Sequence, residues 1–125
     1  DSDFDSLQIY FGPKKPVKKK RPVFLSEFGG YSYRVEGHIF SGKNYGYGTC
    51  RSEDELWERI YARYNELVTP YVYITAGLCG SIYTQLSDVE DEINGLYTYD
   101  RKVCKVDKKK MKHMADNLYK WQLHR

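Results

Sequence analysis

The chain has 125 residues, with 41% hydrophobic and 30% charged side chains and a formal net charge of +3. Those figures describe one soluble globular domain able to bury roughly two-thirds of its unfolded surface. With no apolar run of about 18 residues they leave no place for a membrane span. The opening Asp1-Ser2-Asp3-Phe4 lacks the basic and apolar regions of a signal peptide. Cys50, Cys79 and Cys104 make an odd set without CxxC spacing. Reduced thiols, buried or half-buried and without catalytic duty, and a cytoplasmic location are therefore the expectation. His38, His113 and His124 match no ligand spacing, so neither a metal nor any other cofactor is expected.

Leu7, Ile9 and Phe11 alternate with polar neighbours, which predicts a strand over 5–11 that stops at Gly12-Pro13. The segment 13–22, rich in Pro and Lys, reads as a solvated connecting loop. A second strand follows at about 22–28: Val23-Phe24-Leu25 is a short apolar run bounded by Pro22 and Gly29, the pattern of a buried parallel strand. Glu27 stands at its carboxyl end, where an acid is costly to bury without a partner or a task. In barrel enzymes that end of a strand carries the chemistry. Residues 29–51, with Tyr31, Tyr33, Tyr45 and Tyr47 among glycines, form a long loop, and long loops are commonly functional.

Ser52-Glu53-Asp54-Glu55 is a capping box that opens a helix with Leu56, Ile60, Tyr64, Leu67 and Val68 on its inner face. That helix ends near Thr69, before Pro70, and a short second helix is expected from Pro70 to Gly77. Leu78–Thr84 is the third strand. The acidic segment 86–95 is a loop closed by Asn94-Gly95, residues 96–106 read as extended, and 107–123 as a helix with Met111, Met114, Ala115, Leu118 and Trp121 inward. Helix-separated strands predict an α/β fold with a parallel sheet and right-handed crossovers.

Several of these segments together carry a resemblance. They are Leu25-Ser-Glu-Phe-Gly-Gly-Tyr-Ser-Tyr33, Tyr45-Gly-Tyr-Gly48, Ile82-Tyr-Thr-Gln-Leu-Ser-Asp-Val-Glu90 and Asn94-Gly-Leu-Tyr-Thr-Tyr-Asp-Arg101. The chain resembles the end of the catalytic (β/α)8 barrel in glycoside hydrolase family 2, the beta-galactosidase and beta-glucuronidase group, over roughly Asp5 to Asp107. The resemblance implies that residues 1–125 are the C-terminal portion of such a barrel, holding about strands six to eight. It implies that Glu27 is the catalytic nucleophile and that Tyr10 lies against it. Gln8 stands where many members have His, and Tyr83-Thr84-Gln85 where many have a sugar-stacking Trp. Tyr83, Gln85 and Asp88 are the other expected substrate contacts, and the substrate a β-linked galactoside or glucuronide.

A retaining glycosidase also needs a second carboxyl about 5–5.5 Å from the nucleophile. In the family it follows Asn at the end of strand four, and the one Asn65-Glu66 pair here falls inside a predicted helix. The isolated chain is therefore expected to be inactive and to need the remainder of a parent enzyme. Its open strand edges are expected to recruit further copies.

Two other readings compete. Asp88-Val-Glu-Asp-Glu92 could bind calcium, though it lacks the alternation and central glycine of an EF-hand. A solvated loop that brings Gln85 or Asp88 to the pocket is preferred. The basic runs Lys14–Arg21 and Lys108–Lys112, with 13 tyrosines, could instead serve nucleic acid. No recognisable nucleic-acid motif supports this, so nucleic acid is not the expected partner. His38, in the loop after Glu27, is expected to be exposed, with substrate contact as its alternative.

Overall fold

The computed structural model describes residues 2–17, 20–72 and 77–122. In chain order the elements are β1 (Asp5–Ile9), β2 (Val23–Gly29), β3 (Ser32–Tyr33), β4 (Thr49–Cys50), α1 (Glu53–Leu67), β5 (Leu78–Thr84) and α2 (Lys108–Gln122). The main sheet has the order β1-β2-β5 with both pairings parallel, and β3 and β4 form a separate parallel pair. The α/β architecture with parallel strands is as the patterning predicts. Expectations that fall on Lys18, Lys19, the span 73–76, the Trp121 side chain and His124 lie outside the described residues.

β2 does not alternate evenly, and the reason is visible in its register. Leu7 pairs with Leu25 but Gln8 pairs with Glu27. On the other side Leu25 pairs with Ser81 and Phe28 with Tyr83. β2 therefore carries one residue more than either neighbour at Ser26–Glu27, a bulge that resets the phase of the strand. Val23, Leu25 and Phe28 are fully buried, whereas Glu27 is only partly so. Strict alternation would have put Glu27 on the face of Val23 and Leu25. Ser26 occupies the extra position and uses its hydroxyl to satisfy the ladder, donating to the Leu7 carbonyl at 2.9 Å.

Ser52 caps α1, its hydroxyl accepting the Glu55 N–H at 3.1 Å, and Glu53, Asp54 and Glu55 complement the dipole of the first turn. The reciprocal arm reaches one residue further back than a capping box would: Glu55 accepts from the Arg51 N–H at 2.8 Å. The helix closes at Val68, whose N–H bonds the Tyr64 carbonyl at 2.9 Å, and a helical turn through Tyr71 and Val72 continues from Val68. Leu56, Ile60, Leu67 and Val68 are buried as expected. So is Arg63, which shares their stripe.

The core has two parts. Ile9, Val23, Leu25, Phe28 and Leu78 of the sheet pack on Leu67 and Val68. Cys50, Leu56, Ile60, Val106 and Met114 join α1 to α2. Tyr64 and Tyr83 contribute to both. Asp107 caps α2 by accepting the Lys109 and Lys110 N–H groups at 2.8 and 3.2 Å. Met111, Ala115 and Leu118 are half-buried.

Four expectations are corrected. The first strand stops at Ile9, because the Arg63 guanidinium takes the Tyr10 carbonyl at 3.0 Å and the chain turns at Gly12. Residues 96–106 are not a strand. Thr98 bonds Val103 across a turn in which Arg101 has φ of 59°, and only a bridge links Tyr97 to Cys104. Cys79 is exposed, since it points opposite to buried Leu78 on β5; all three cysteines are free. Asp88 is not solvated but only 5% exposed.

Asp88 and Lys105 form the polar centre of the loop layer. Lys105 is fully buried, and its ammonium donates to Asp88 Oδ1 at 2.6 Å, the Tyr33 carbonyl at 2.8 Å and the Ile93 carbonyl at 3.0 Å. The same Asp88 oxygen accepts the Gly95 N–H at 2.8 Å. Burial raises the pKa of Asp88 and lowers that of Lys105, since each would be easier to bury neutral. All three ammonium protons are satisfied, which is what allows the pair to stay charged inside. Lys105→Met leaves Asp88 buried without its partner and is expected to destabilise the fold by about 3–5 kcal/mol. A urea titration in which Lys105→Met matches the parent, or in which adding Asp88→Leu brings no recovery, contradicts this account.

Candidate functional site

Three parallel strand ends meet at one place. Glu27 lies near the carboxyl end of β2, Tyr10 follows the end of β1, and Thr84 is the last residue of β5. The Tyr10 hydroxyl donates to Glu27 Oε2, and Gln8 Nε2 donates to Oε1 at 3.3 Å. Thr84 Oγ1 lies 3.4 Å from the Tyr10 oxygen. With the single phenolic proton directed at the carboxylate, Thr84 is the donor in that contact. Burial, and then the bond to Glu27, push the Tyr10 hydroxyl up to about 12. Tyr10 therefore stays a proton donor throughout the physiological range.

The chain beyond Glu27 is shaped by glycine. Gly29 and Gly30 have φ of 93° and 76°. A Cβ on Gly29 would fall 2.2 Å from the Tyr83 ring, and one on Gly30 would fall 2.7 Å from the Tyr47 ring. Neither position admits another residue without displacing an aromatic ring. The Gly30 N–H bonds the Thr84 carbonyl at 2.8 Å and the Gly30 carbonyl accepts the Tyr47 N–H at 2.9 Å. The long loop is thereby tied to the strand ends on both sides of Glu27.

The other sequence-predicted residues have different surroundings. Tyr83 packs edge-on against Phe28 and stacked with Tyr64, with ring centroids 5.6 and 6.3 Å away, and burial drives its hydroxyl pKa far upward. Asp88 belongs to the Lys105 pair described above. Neither is bonded to Glu27: strand alternation turns Tyr83 to the core face and Thr84 toward the Tyr10 hydroxyl. Half-buried Gln85 donates to Asn94 Oδ1 at 2.6 Å, and Asn94 in turn donates to Glu92 at 3.1 Å. His38 is not simply exposed but half-buried, with Nδ1 2.8 Å from Asp100 Oδ2. The Thr98 hydroxyl and His38 hold Asp100 below the usual carboxylate range. Among the described residues, no group of three or more His, Cys, Asp or Glu is placed to hold a metal ion.

Two residues at this site went unmarked in the sequence. Thr84 is a strand-end hydroxyl with no local signature. Arg63 could have been found, because it lies three residues after Ile60 and four before Leu67, on the apolar stripe of α1. A buried cation there needs acceptors, and it has the Tyr10 carbonyl and Glu66 Oε2, the latter at 2.7 Å.

No protein-family model matches this chain, and no curated protein matches it.

The tyrosine is a direct probe of the carboxylate. In a spectrophotometric or NMR titration Tyr10 should ionise near 12. Glu27→Gln should lower that value part of the way toward 10, since burial, the larger cause, remains. An unchanged Tyr10 titration in Glu27→Gln means that the two side chains are not bonded in solution. Because the folded-state pKa is the higher one, the stability linked to Tyr10 is present below pH 10 and lost as pH rises from about 10 to 12.

Proposed function

We propose that Glu27 is the nucleophile of a retaining glycoside hydrolase that cleaves β-linked glycosides of the galactoside or glucuronide type. The observation that carries this reading is a carboxylate at the carboxyl end of the middle of three parallel strands, turned off the core by a bulge and held by Tyr10 and Gln8. The adjacency of β1, β2 and β5 in chain order supports placing them as strands six, seven and eight of a (β/α)8 barrel.

In such a reaction a Glu27 oxygen attacks the anomeric carbon as the glycosidic oxygen departs with a proton from a second carboxyl. Water then hydrolyses the glycosyl ester. Tyr10 and Gln8 orient the carboxylate. On this reading the proton donor is not Glu66 of the Asn65-Glu66 pair, which lies on α1 and is bonded to Arg63. Asp88, buried against Lys105, and Tyr83, packed on Phe28 and Tyr64, are not assigned sugar contacts on this reading.

The nucleic-acid alternative is weakened by the second basic run. Lys108 lies 5.5 Å from the Tyr97 ring centroid and Lys110 lies 6.0 Å from that of Trp57, so these cations already face the protein's own aromatics.

A dinitrophenyl 2-deoxy-2-fluoro-β-glycoside needs no acid to expel its leaving group and traps the ester. With the galactosyl and glucuronyl reagents, mass spectrometry should place one adduct on Glu27, absent in Glu27→Gln. An adduct elsewhere, or none with either reagent, contradicts the proposal. Turnover of simple alkyl β-glycosides, which do need the acid, is expected to be undetectable for this chain. Among the described residues no strand covers the outer edge of β1 or β5, so self-association is expected to rise with concentration in light scattering. A monomer at every concentration would argue against open edges.

A further inference from the structure

Away from the strand ends, α1 and α2 leave a groove between them that the reaction above does not use. Its volume is about 590 Å3, within the range of small-molecule sites. On the α1 side it is lined by Trp57, Tyr61, Asn65 and Thr69, which recur every four residues and so share one stripe. On the α2 side it is lined by Lys109, Lys110, His113 and Asn117, with buried Met114 between the helices.

Aromatic surface and positive charge are presented together here. The Trp57 and Tyr61 rings stack with centroids 5.7 Å apart and planes at 27°, and Tyr61 is 47% exposed. The Lys110 ammonium lies 6.0 Å from the Trp57 ring centroid. Farther along the stripe the groove turns polar: the Thr69 hydroxyl donates to Asn65 Oδ1 at 3.4 Å, and Asn117 Nδ2 lies 3.3 Å from His113 Nε2.

The charge is also one-sided. No Asp or Glu among the described residues lines the groove. Asp107, just before the two lysines, accepts the backbone N–H groups of Lys109 and Lys110, and chiefly those bonds lower its carboxyl pKa. Lys112, which does not line the groove, is instead paired with Asp116 at 2.7 Å. A ligand that satisfies this surface needs a flat apolar body for the rings and a negative group for the ammonium pair. A small aliphatic acid leaves the rings wet, and a neutral arene leaves the cations without a partner.

We propose that the groove between α1 and α2 binds a flat aromatic acid, its ring against Trp57 and Tyr61 and its anionic group on Lys109 and Lys110. Asn65, Thr69 and Asn117 supply the few polar groups that fix the orientation of such a ligand. This site stands independently of the role given to Glu27.

The test is protein-observed NMR titration of the 125-residue chain with 2-naphthoate, 2-naphthyl phosphate, 2-naphthalenemethanol and acetate. At least one of the two aromatic acids should shift the Tyr61, Lys110 and Asn117 signals and bind about tenfold more tightly than the neutral alcohol, a difference of about 1.4 kcal/mol. The tighter of the two identifies the anionic group as carboxylate or phosphate. Acetate should cause no shift. Tyr61→Ala and Lys110→Gln, both at exposed positions, should each weaken binding by roughly tenfold. Tyr61→Phe, which keeps the ring, and Lys112→Gln and Glu27→Gln, which lie outside the groove, should retain it. No binding of either aromatic acid, equal binding of the alcohol, shifts confined to residues outside the groove, or parental affinity in both Tyr61→Ala and Lys110→Gln overturns the proposal.

Discussion

One extra residue in the central strand decides which way its one carboxylate faces. A carboxylate in a buried parallel strand must either be paired in the interior or be turned out of it. Here the bulge at Ser26–Glu27 turns it, while Phe28 returns to the core side and keeps the apolar face continuous. The Ser26 hydroxyl takes the Leu7 carbonyl that the missed ladder position would leave open. Without that correction the same sequence would aim Glu27 at Leu67 and Val68.

The surroundings of Glu27 are arranged around that step. The glycine pair directly after it lets the chain leave the sheet past the Tyr83 and Tyr47 rings. Arg63, reaching from α1, holds the Tyr10 backbone so that its phenol arrives at Glu27 from the neighbouring strand end. Farther out, the buried Lys105–Asp88 pair ties together Tyr33, Ile93 and Gly95. The layer of loops over the strand ends therefore has a polar core of its own. Its centre is a buried ion pair whose three ammonium protons all have acceptors.

Much of the fold was legible in the chain. Apolar runs closed by Gly and Pro marked β2 and β5 closely, and the Ser52 cap with the Leu56–Ile60–Leu67 stripe marked α1, because these signals act within a few residues. The loop layer was not legible. Asp88 and Lys105 are separated by 17 positions, and nothing local in either segment marks them as partners until the fold brings them together. Residues 96–106 looked extended because their composition is strand-like, and the left-handed Arg101 in a tight turn has no compositional mark.

The sequence alone determined the identity of the chemical group, a lone carboxylate at the end of an apolar strand, since burial period and strand ends are encoded residue by residue. That Tyr10 would meet it was implied only by the resemblance of the surrounding segments, not by any local pattern. Only the tertiary structure decided which way that carboxylate faces, and that Thr84, not Tyr83, reaches the tyrosine hydroxyl bonded to it. It also decided that Asp88 is spent on Lys105, and that Trp57 and Lys110 line one groove. These outcomes depend on register between strands and on contacts between distant segments, and a single change of phase by one residue reverses them.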